Sequence, residues 1–490
     1  MSTNPAPAAM TAAPPTSPSP AQASARRRPP LPLGREGAVL AWSLAAVLFA
    51  LYAALAVRDQ QRMLTGGFDL GIFDETVRAY AHGHLPVVAL KGTTFDELGD
   101  HFSPIWALLA PVYLVFPTVY TLLLGQAALL ALGAVPLVRW AARALGPGTA
   151  AAAGVGYGLS WGIAAAAGFD VHEVAFAVPM LAYSATALGE RRWRAAVAWG
   201  LPLLLVKEDL GLTLAVIGGY IALHGARRIG LATIATGVLG TVLEVKVLIP
   251  AFNPGGTYTY SGSIMSAFHG GVLGLPHALL RFITPETKPI TALLVLAVTG
   301  FVALRSPITL LVVPTLAWRF LSDDQTYWGT GYQYSAVLMP IVFAGFVDGL
   351  ARLRASGDPL AGALTRTAAI TSLAVTATLL PDFPLWALTE APTWHTDPRV
   401  AVARQLIARI PDNVTVAAGN QLVPQLTDRD TVLLLDMQTP DSHPAWVLLD
   451  TENPDNFPLA PGQQARLISD LRAEGYQTVA NRDGYLLLDR

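Results

Sequence analysis

The chain has 490 residues, of which 53% are hydrophobic and 13% charged, with a formal net charge of −2. A soluble domain carries about 25% charged residues, so a chain this long and this apolar cannot cover a water-exposed surface, and its composition implies lipid as solvent. The lack of cysteine excludes disulfides and thiolate metal sites. The balanced charge, with no basic stripe interleaved with aromatics, excludes a nucleic-acid partner.

Residues 1–37 are rich in Pro, Ala and Ser and read as a disordered tail. Arg26, Arg27 and Arg28 precede an apolar run at 38–57. That run is long enough to span hydrocarbon and too long for a signal-peptide core, so it reads as an uncleaved first span. Further apolar runs follow at 119–138, 149–168, 174–188, 195–206, 210–223, 229–249, 290–304, 307–321, 335–350 and 365–380. The expected architecture is an all-α polytopic membrane bundle over 38–380, with about 11 transmembrane helices. Several runs fall short of the roughly 20 residues of a perpendicular span, as suits helices that stop at a cavity.

Lys and Arg in short loops set orientation. With the N-terminus cytoplasmic, Arg139, Arg143, Arg191, Arg192, Arg194, Arg227, Arg228, Arg305, Arg352 and Arg354 all fall inside. The opposite side then receives Asp69, Asp74, Glu75, Asp96, Asp100, Asp170, Glu173, Glu208, Asp209, Asp323 and Asp324. This alternation holds if 103–117, with its central Pro111 and terminal Pro117, is a helix lying in the outer interface and not a further span. The setting is a multi-pass protein of the plasma membrane.

After 380 the composition changes. TVLLLD and AWVLLD read as buried strands, GQQARLISDLRAEGY as an amphipathic helix, and YQTVANRDGYLLLDR as a hairpin turning at Arg482-Asp483-Gly484. Residues 381–490 therefore read as a small α/β domain, extracytoplasmic by parity.

Polar motifs interrupt this apolar background. FDLGIFDETVRAYAHGHLP, 68–86, places Asp69, Asp74 and Glu75 close to the membrane, where acids are costly unless solvated or paired. Its ordinary alternative is a solvated loop with a helix cap at Asp74. GDHFSP brings Asp100 and His101, as functional groups or as a cap and an interface histidine. FDVHE carries Asp170, His172 and Glu173, donors of the kind Mg or Mn accepts. The same residues suit a polar turn between two helices. LLLVKEDLGL sets Lys207, Glu208 and Asp209 inside an apolar stretch. There a lysine can hold a phosphate as a point charge or merely pair with a carboxylate. Glu244 and Lys246 read as a structural pair or snorkelling side chains. Tyr332 and Tyr334, with Tyr258 and Tyr260, suit stacking on sugar rings as well as an interfacial aromatic belt. No Walker loop or dinucleotide fingerprint stands in a strand-turn-helix context.

At FDLGIFDE, HFSP, FDVHE, VKEDLGL and YQYS, in that order, the chain resembles the bacterial membrane proteins called domain of unknown function 2079. That family looks like a branch of the C-type (GT-C) glycosyltransferases, which take sugar from a polyprenyl-phosphate carrier outside the membrane. The resemblance implies Asp69 as the catalytic carboxylate with Asp74 as runner-up, FDVHE as the second acidic loop, and YQYSAVLMP as an aromatic segment near the donor. His-Phe-Ser-Pro stands where that class has His-Pro-Pro. On this reading His101, Lys207, Glu208, Asp209, Tyr332 and Tyr334 bind substrate. Asp170, His172 and Glu173 would hold a divalent metal, Mg or Mn, and the acceptor would be a cell-envelope glycan or glycoprotein. A flippase for a lipid-linked glycan and a non-catalytic scaffold are the alternatives. The sequence further predicts that Asp69 or Asp74, His172 or Glu173, and Lys207 line one shared cavity, because each motif follows an apolar run ending on the same side.

Overall fold

The computed structural model describes residues 1–2, 34–268, 275–454 and 457–490. The expected tail over 1–37 falls almost wholly outside them, and the description resumes at Gly34 in the first helix. Among the described residues, five helices are long and apolar enough to cross a membrane: Gly34–Gln61, Val119–Leu145, Arg227–Phe252, Gln333–Ala355 and Ala361–Asp382. Pro147–Gly158 and Trp161–Ala167, bent by 47°, make a sixth if they form one span. Val174–Gly189, Trp193–Leu205, Leu210–Leu223, Thr287–Ala297 and Pro307–Leu321 are shorter apolar helices on the remaining runs.

The shortness of some helices has a local cause. Val174–Gly189 begins directly after Asp170, His172 and Glu173, and Lys207 to Asp209 separate Trp193–Leu205 from Leu210–Leu223. These helices stop where charge must be solvated or paired. The Leu210–Leu223 and Arg227–Leu243 helices pack through glycine. A Cβ on Gly218 would lie 2.6 Å from the Gly230 carbonyl oxygen, and one on Gly237 2.3 Å from that of Gly211. Small residues at such a crossing let two backbones approach within lipid. Val39, Trp42, Val47, Leu231, Leu239 and Ile370 are exposed on the outer helices, as a lipid-facing surface requires.

Residues 104–113 form six residues of 3₁₀-helix and four of α-helix. That is roughly 18 Å of length against a hydrocarbon core of about 30 Å. Trp106 and Tyr113 are buried beneath it while Leu108, Val112, Leu114, Val115 and Phe116 remain exposed. The segment is shorter than a perpendicular span and has one apolar face free.

The C-terminal part carries a five-stranded sheet: β1 (Thr415–Ala418), β2 (Thr431–Leu434), β3 (Trp446–Asp450), β4 (Gln477–Arg482) and β5 (Tyr485–Asp489), in the order β2-β1-β3-β5-β4. β1 runs parallel to β2 and β3, while β5 is antiparallel to β3 and β4. The two-residue period divides the core. Val416, Leu448 and Leu487 face the Pro398–Ile407 helix, and Ala417, Val447 and Leu488 face Leu467 and Leu471 of the Gln463–Ala473 helix. Asp483 and Gly484 both have positive φ, 46° and 80°, the conformation a two-residue hairpin turn needs.

This domain is fastened to the end of the first helix and to the Ile72–Ala81 helix that follows it. Arg58 Nε donates to the Thr393 carbonyl at 3.1 Å, Arg404 Nη2 to the Gln61 carbonyl at 2.7 Å, and Arg78 Nη1 to the Asp430 carbonyl at 2.9 Å. The opposite end of the bundle is marked by Glu190, which pairs with Arg143 and, at 2.6 Å, with Arg192 Nη2. The Val174–Gly189 helix thus separates a basic end from the end that carries Glu173.

Candidate active site at the domain-bearing end of the bundle

The polar motifs converge. Lys207 Nζ donates to Glu173 Oε1 at 2.7 Å, and His172 Nδ1 lies 2.7 Å from Glu173 Oε2. His101 Nδ1 and the Tyr258 hydroxyl both reach Glu208 Oε1, at 2.9 and 2.8 Å. The His101 ring stacks on Tyr260 with centroids 4.8 Å apart, and Tyr260 donates to Asp100 Oδ2 at 3.3 Å. Lys91 bridges Asp100 and Glu97. Trp318 Nε1 donates to Asp209 Oδ2 at 2.8 Å. HFSP, FDVHE, KED and the tyrosines of the 258–260 loop therefore form one network, and Tyr334 of the next loop meets the Trp318 ring edge-on at 6.4 Å.

Electrostatics bind this network together. Burial pushes the Glu173 carboxyl up, but His172 and Lys207 outweigh it and hold the group well below the usual range. Burial disfavours the Lys207 ammonium, yet Glu173, Glu208 and Asp209 keep it charged and raise it well above its ordinary value. Glu208 is lowered in the same way, with burial outweighed by His101 and Lys207. Asp209, buried and beside two other carboxylates, is pushed up to about 7 despite Lys207.

Asp69 behaves differently. It sits in a π-helical turn, Gly67–Gly71, a rare geometry that recurs at functional sites. Its side chain is half-buried and accepts no hydrogen bond from the described residues. Burial raises its carboxyl, His172, Lys91 and Lys207 pull it down, and Glu173 adds to the rise. Asp69 thus shares one field with Glu173 and Lys207 while remaining uncommitted. Tyr334 stands in the same field, and Tyr332 makes an edge contact with Phe169 at 5.6 Å.

Two expectations are corrected. Asp170, His172 and Glu173 do not form a donor set for a metal. Asp170 Oδ2 accepts the Gly66 N–H at 2.7 Å, and both Glu173 oxygens face bases. Among the described residues, no group of three or more His, Cys, Asp or Glu is arranged to hold a metal ion. Asp74 does not join the cluster. It is fully buried against Tyr113 and Thr427, with Asp428 and Arg78 nearby, and burial pushes it up to about 7. Glu244 is buried and Lys246 exposed, with no ion pair between them.

Four residues that sequence reasoning passed over hold the site in shape. Gln126, in the middle of an apolar run, accepts the His172 N–H at 2.9 Å and donates to the carbonyls of Ala166, Phe169 and Asp170. Arg319, fully buried, donates to the Tyr327 and Gly329 carbonyls and the Ser335 hydroxyl, which fixes the loop that carries Tyr332 and Tyr334. A polar residue inside an apolar run was the available signal for both. Lys91 and Asn420 gave none. Beside Asp170, a cavity of about 190 Å³ opens between Asp59, Thr65 and Leu123.

A polytopic helical bundle with a docked α/β domain and a polar cluster beneath it defines a membrane protein that gathers a buried ionic network at one end. The chain belongs to the family described as predicted membrane protein (DUF2079), whose model matches residues 60–487. A comparison with curated proteins found no match. Among solved structures it is similar to ArnT from Cupriavidus metallidurans bound to undecaprenyl phosphate, at 15% identity and TM-score 0.49, over 93% of this chain and 98% of that one. The apo form of that protein matches at 15% identity and TM-score 0.49, over 92% and 97%.

Proposed function

We propose that the protein is a membrane glycosyltransferase that moves a sugar from a polyprenyl-phosphate carrier to an acceptor hydroxyl of a cell-envelope glycan or glycoprotein. We place the reaction on the non-cytoplasmic face of the plasma membrane, with the N-terminus cytoplasmic. The observation that carries this reading is the position of Asp69: an uncommitted carboxylate within the field of Lys207, at the end of the bundle where four other motifs meet. The order of those motifs, and their resemblance to the GT-C pattern, supplies the reaction class.

In this reading Asp69 takes the proton of the acceptor hydroxyl as its oxygen attacks the anomeric carbon. The bond from that carbon to the carrier phosphate breaks, and the carrier leaves as polyprenyl phosphate. A carboxyl raised by burial is a better base near neutrality than an ordinary aspartate. Lys207, oriented by Glu173, supplies fixed positive charge near the leaving phosphate. Tyr332, Tyr334 and Phe169 offer aromatic faces for the sugar. The carboxylates of FDVHE are already paired with a backbone N–H, a histidine and a lysine, so no step is assigned to a metal.

The test is transfer from a polyprenyl-phosphate sugar in proteoliposomes. Asp69→Asn, which keeps shape and loses the base, is expected to lower turnover by about 10²-fold or more. Turnover equal to that of the unaltered protein overturns the assignment.

A further inference from the structure

We infer that Asn420 and Asp170 are positioning residues for Asp69, so that the C-terminal domain completes the active site instead of standing beside it as a separate module. This rests on the reading of Asp69 as the acting carboxylate.

The first N–H groups of a helical turn have no partner within the turn and must find one elsewhere. At the turn that carries Asp69, no local side chain caps them. Three consecutive donors are instead satisfied from far away in the chain. Gly66 N–H donates to Asp170 Oδ2 at 2.7 Å, Gly67 N–H to the Asn420 carbonyl at 2.8 Å, and Phe68 N–H to Asn420 Oδ1 at 3.0 Å. The two capping residues meet at Gly66, where a Cβ would lie 3.1 Å from both the Asn420 amide nitrogen and Asp170 Oδ2.

Packing fixes the same turn from the same direction. Val423 presses on Gly67 and Gly71 so closely that a Cβ would stand 2.5 and 2.8 Å from it. Phe68 meets Phe457 edge to face at 4.8 Å. Asp69 follows directly on this clamped segment, so its carboxylate direction is set by a residue 352 positions away at Phe68. Misplacement of a reacting group by about 1 Å can cost 10²-fold in rate. Asp170 takes the place in this device that a metal ligand would otherwise claim. Its own loop is held by Gln126 through the Asp170 carbonyl at 2.8 Å.

The experiment uses the full chain in nanodiscs, with hydrogen exchange at the Gly66, Gly67 and Phe68 amides and transfer from a polyprenyl-phosphate sugar as readouts. Asn420→Ala is expected to speed exchange at Phe68 about tenfold, with Gly67 still held by the backbone carbonyl of residue 420, and to lower kcat about tenfold with KM unchanged. Asn420→Asp keeps the accepting oxygen and restores both. Asp170→Asn also keeps an acceptor for Gly66 and retains slow exchange and turnover, whereas Asp170→Ala loses both. Exchange and kcat unchanged in Asn420→Ala overturn the proposal, as does loss of turnover in Asp170→Asn with slow exchange intact. Should Asn420→Ala fail to fold, Asn420→Leu, which keeps the volume and removes the acceptor, decides by the same readouts. Normal transfer by Asp69→Asn would instead end the catalytic reading, while the exchange data would still decide whether the cap exists.

Discussion

Lys207 and Glu173 are almost wholly buried and meet at 2.7 Å, so each is the other's solvent. Removing one partner of such a pair leaves an uncompensated charge and costs about 3–5 kcal/mol. Lys207→Ala is therefore expected to lower the unfolding temperature in detergent sharply, and Lys207→Met combined with Glu173→Gln to recover much of it. A single variant as stable as the parent would show that water reaches the pair. Asp74 gives a test with a definite sign. Its carboxyl, ordinarily at 3.8, sits at about 7 in the folded protein. Between those values the unfolded chain releases a proton that the fold retains, so stability falls as pH rises and the full cost is present above about 7. Asp74→Asn removes this titration. It should stabilise the protein at pH 8, by on the order of 2–4 kcal/mol, and change little at pH 4. Glu75, also near 7, leaves a residual slope. Equal stabilisation at both pH values would refute the titration. At this scale the sequence revealed residue types but not directions. FDVHE contains the donors a metal wants, yet one carboxylate turns to a backbone N–H and the other to a lysine. Asn420 is one polar residue in a polar region, and nothing in its neighbourhood marks it.

The elements were more legible, because lipid imposes a strong apolar signal and the hairpin at Asp483-Gly484 has a specific turn chemistry. Spans were harder to count, since Val174–Gly189 and its short neighbours end at the charges of the site and do not run the full thickness of a bilayer. Close approach between elements was illegible, as glycine reports it only once the facing residue is known. Gly67→Ala places a Cβ 2.5 Å from Val423. It is expected to weaken docking of the C-terminal domain by about 1–3 kcal/mol, seen as increased protease cleavage between 383 and 397. Val423→Ala in the same chain should restore resistance. Failure of the second change to compensate would mean that the turn, and not the contact, had been strained.

At the scale of the whole molecule, the site and the C-terminal domain occupy one end, and Glu190 with Arg143 and Arg192 the other. The chain has no cysteine, so single cysteines report sidedness without background. Asp441→Cys is expected to react with a membrane-impermeant maleimide in intact cells, and Arg228→Cys only after lysis; the reverse pattern would invert the molecule. This separation was readable from basic and acidic loops alternating along the chain, whereas the docking of residue 420 onto residue 67 was not, because no local pattern encodes a contact of that range. That contact also orders events in time. The ribosome delivers Asp69 and the first helices to the membrane long before Asn420 and Val423 exist, and the Gly67 and Phe68 amides stay without their partner throughout. A nascent chain halted in the bundle would carry the polar cluster without its clamp, and would assume the shape described above only when residues 415–490 had settled over it.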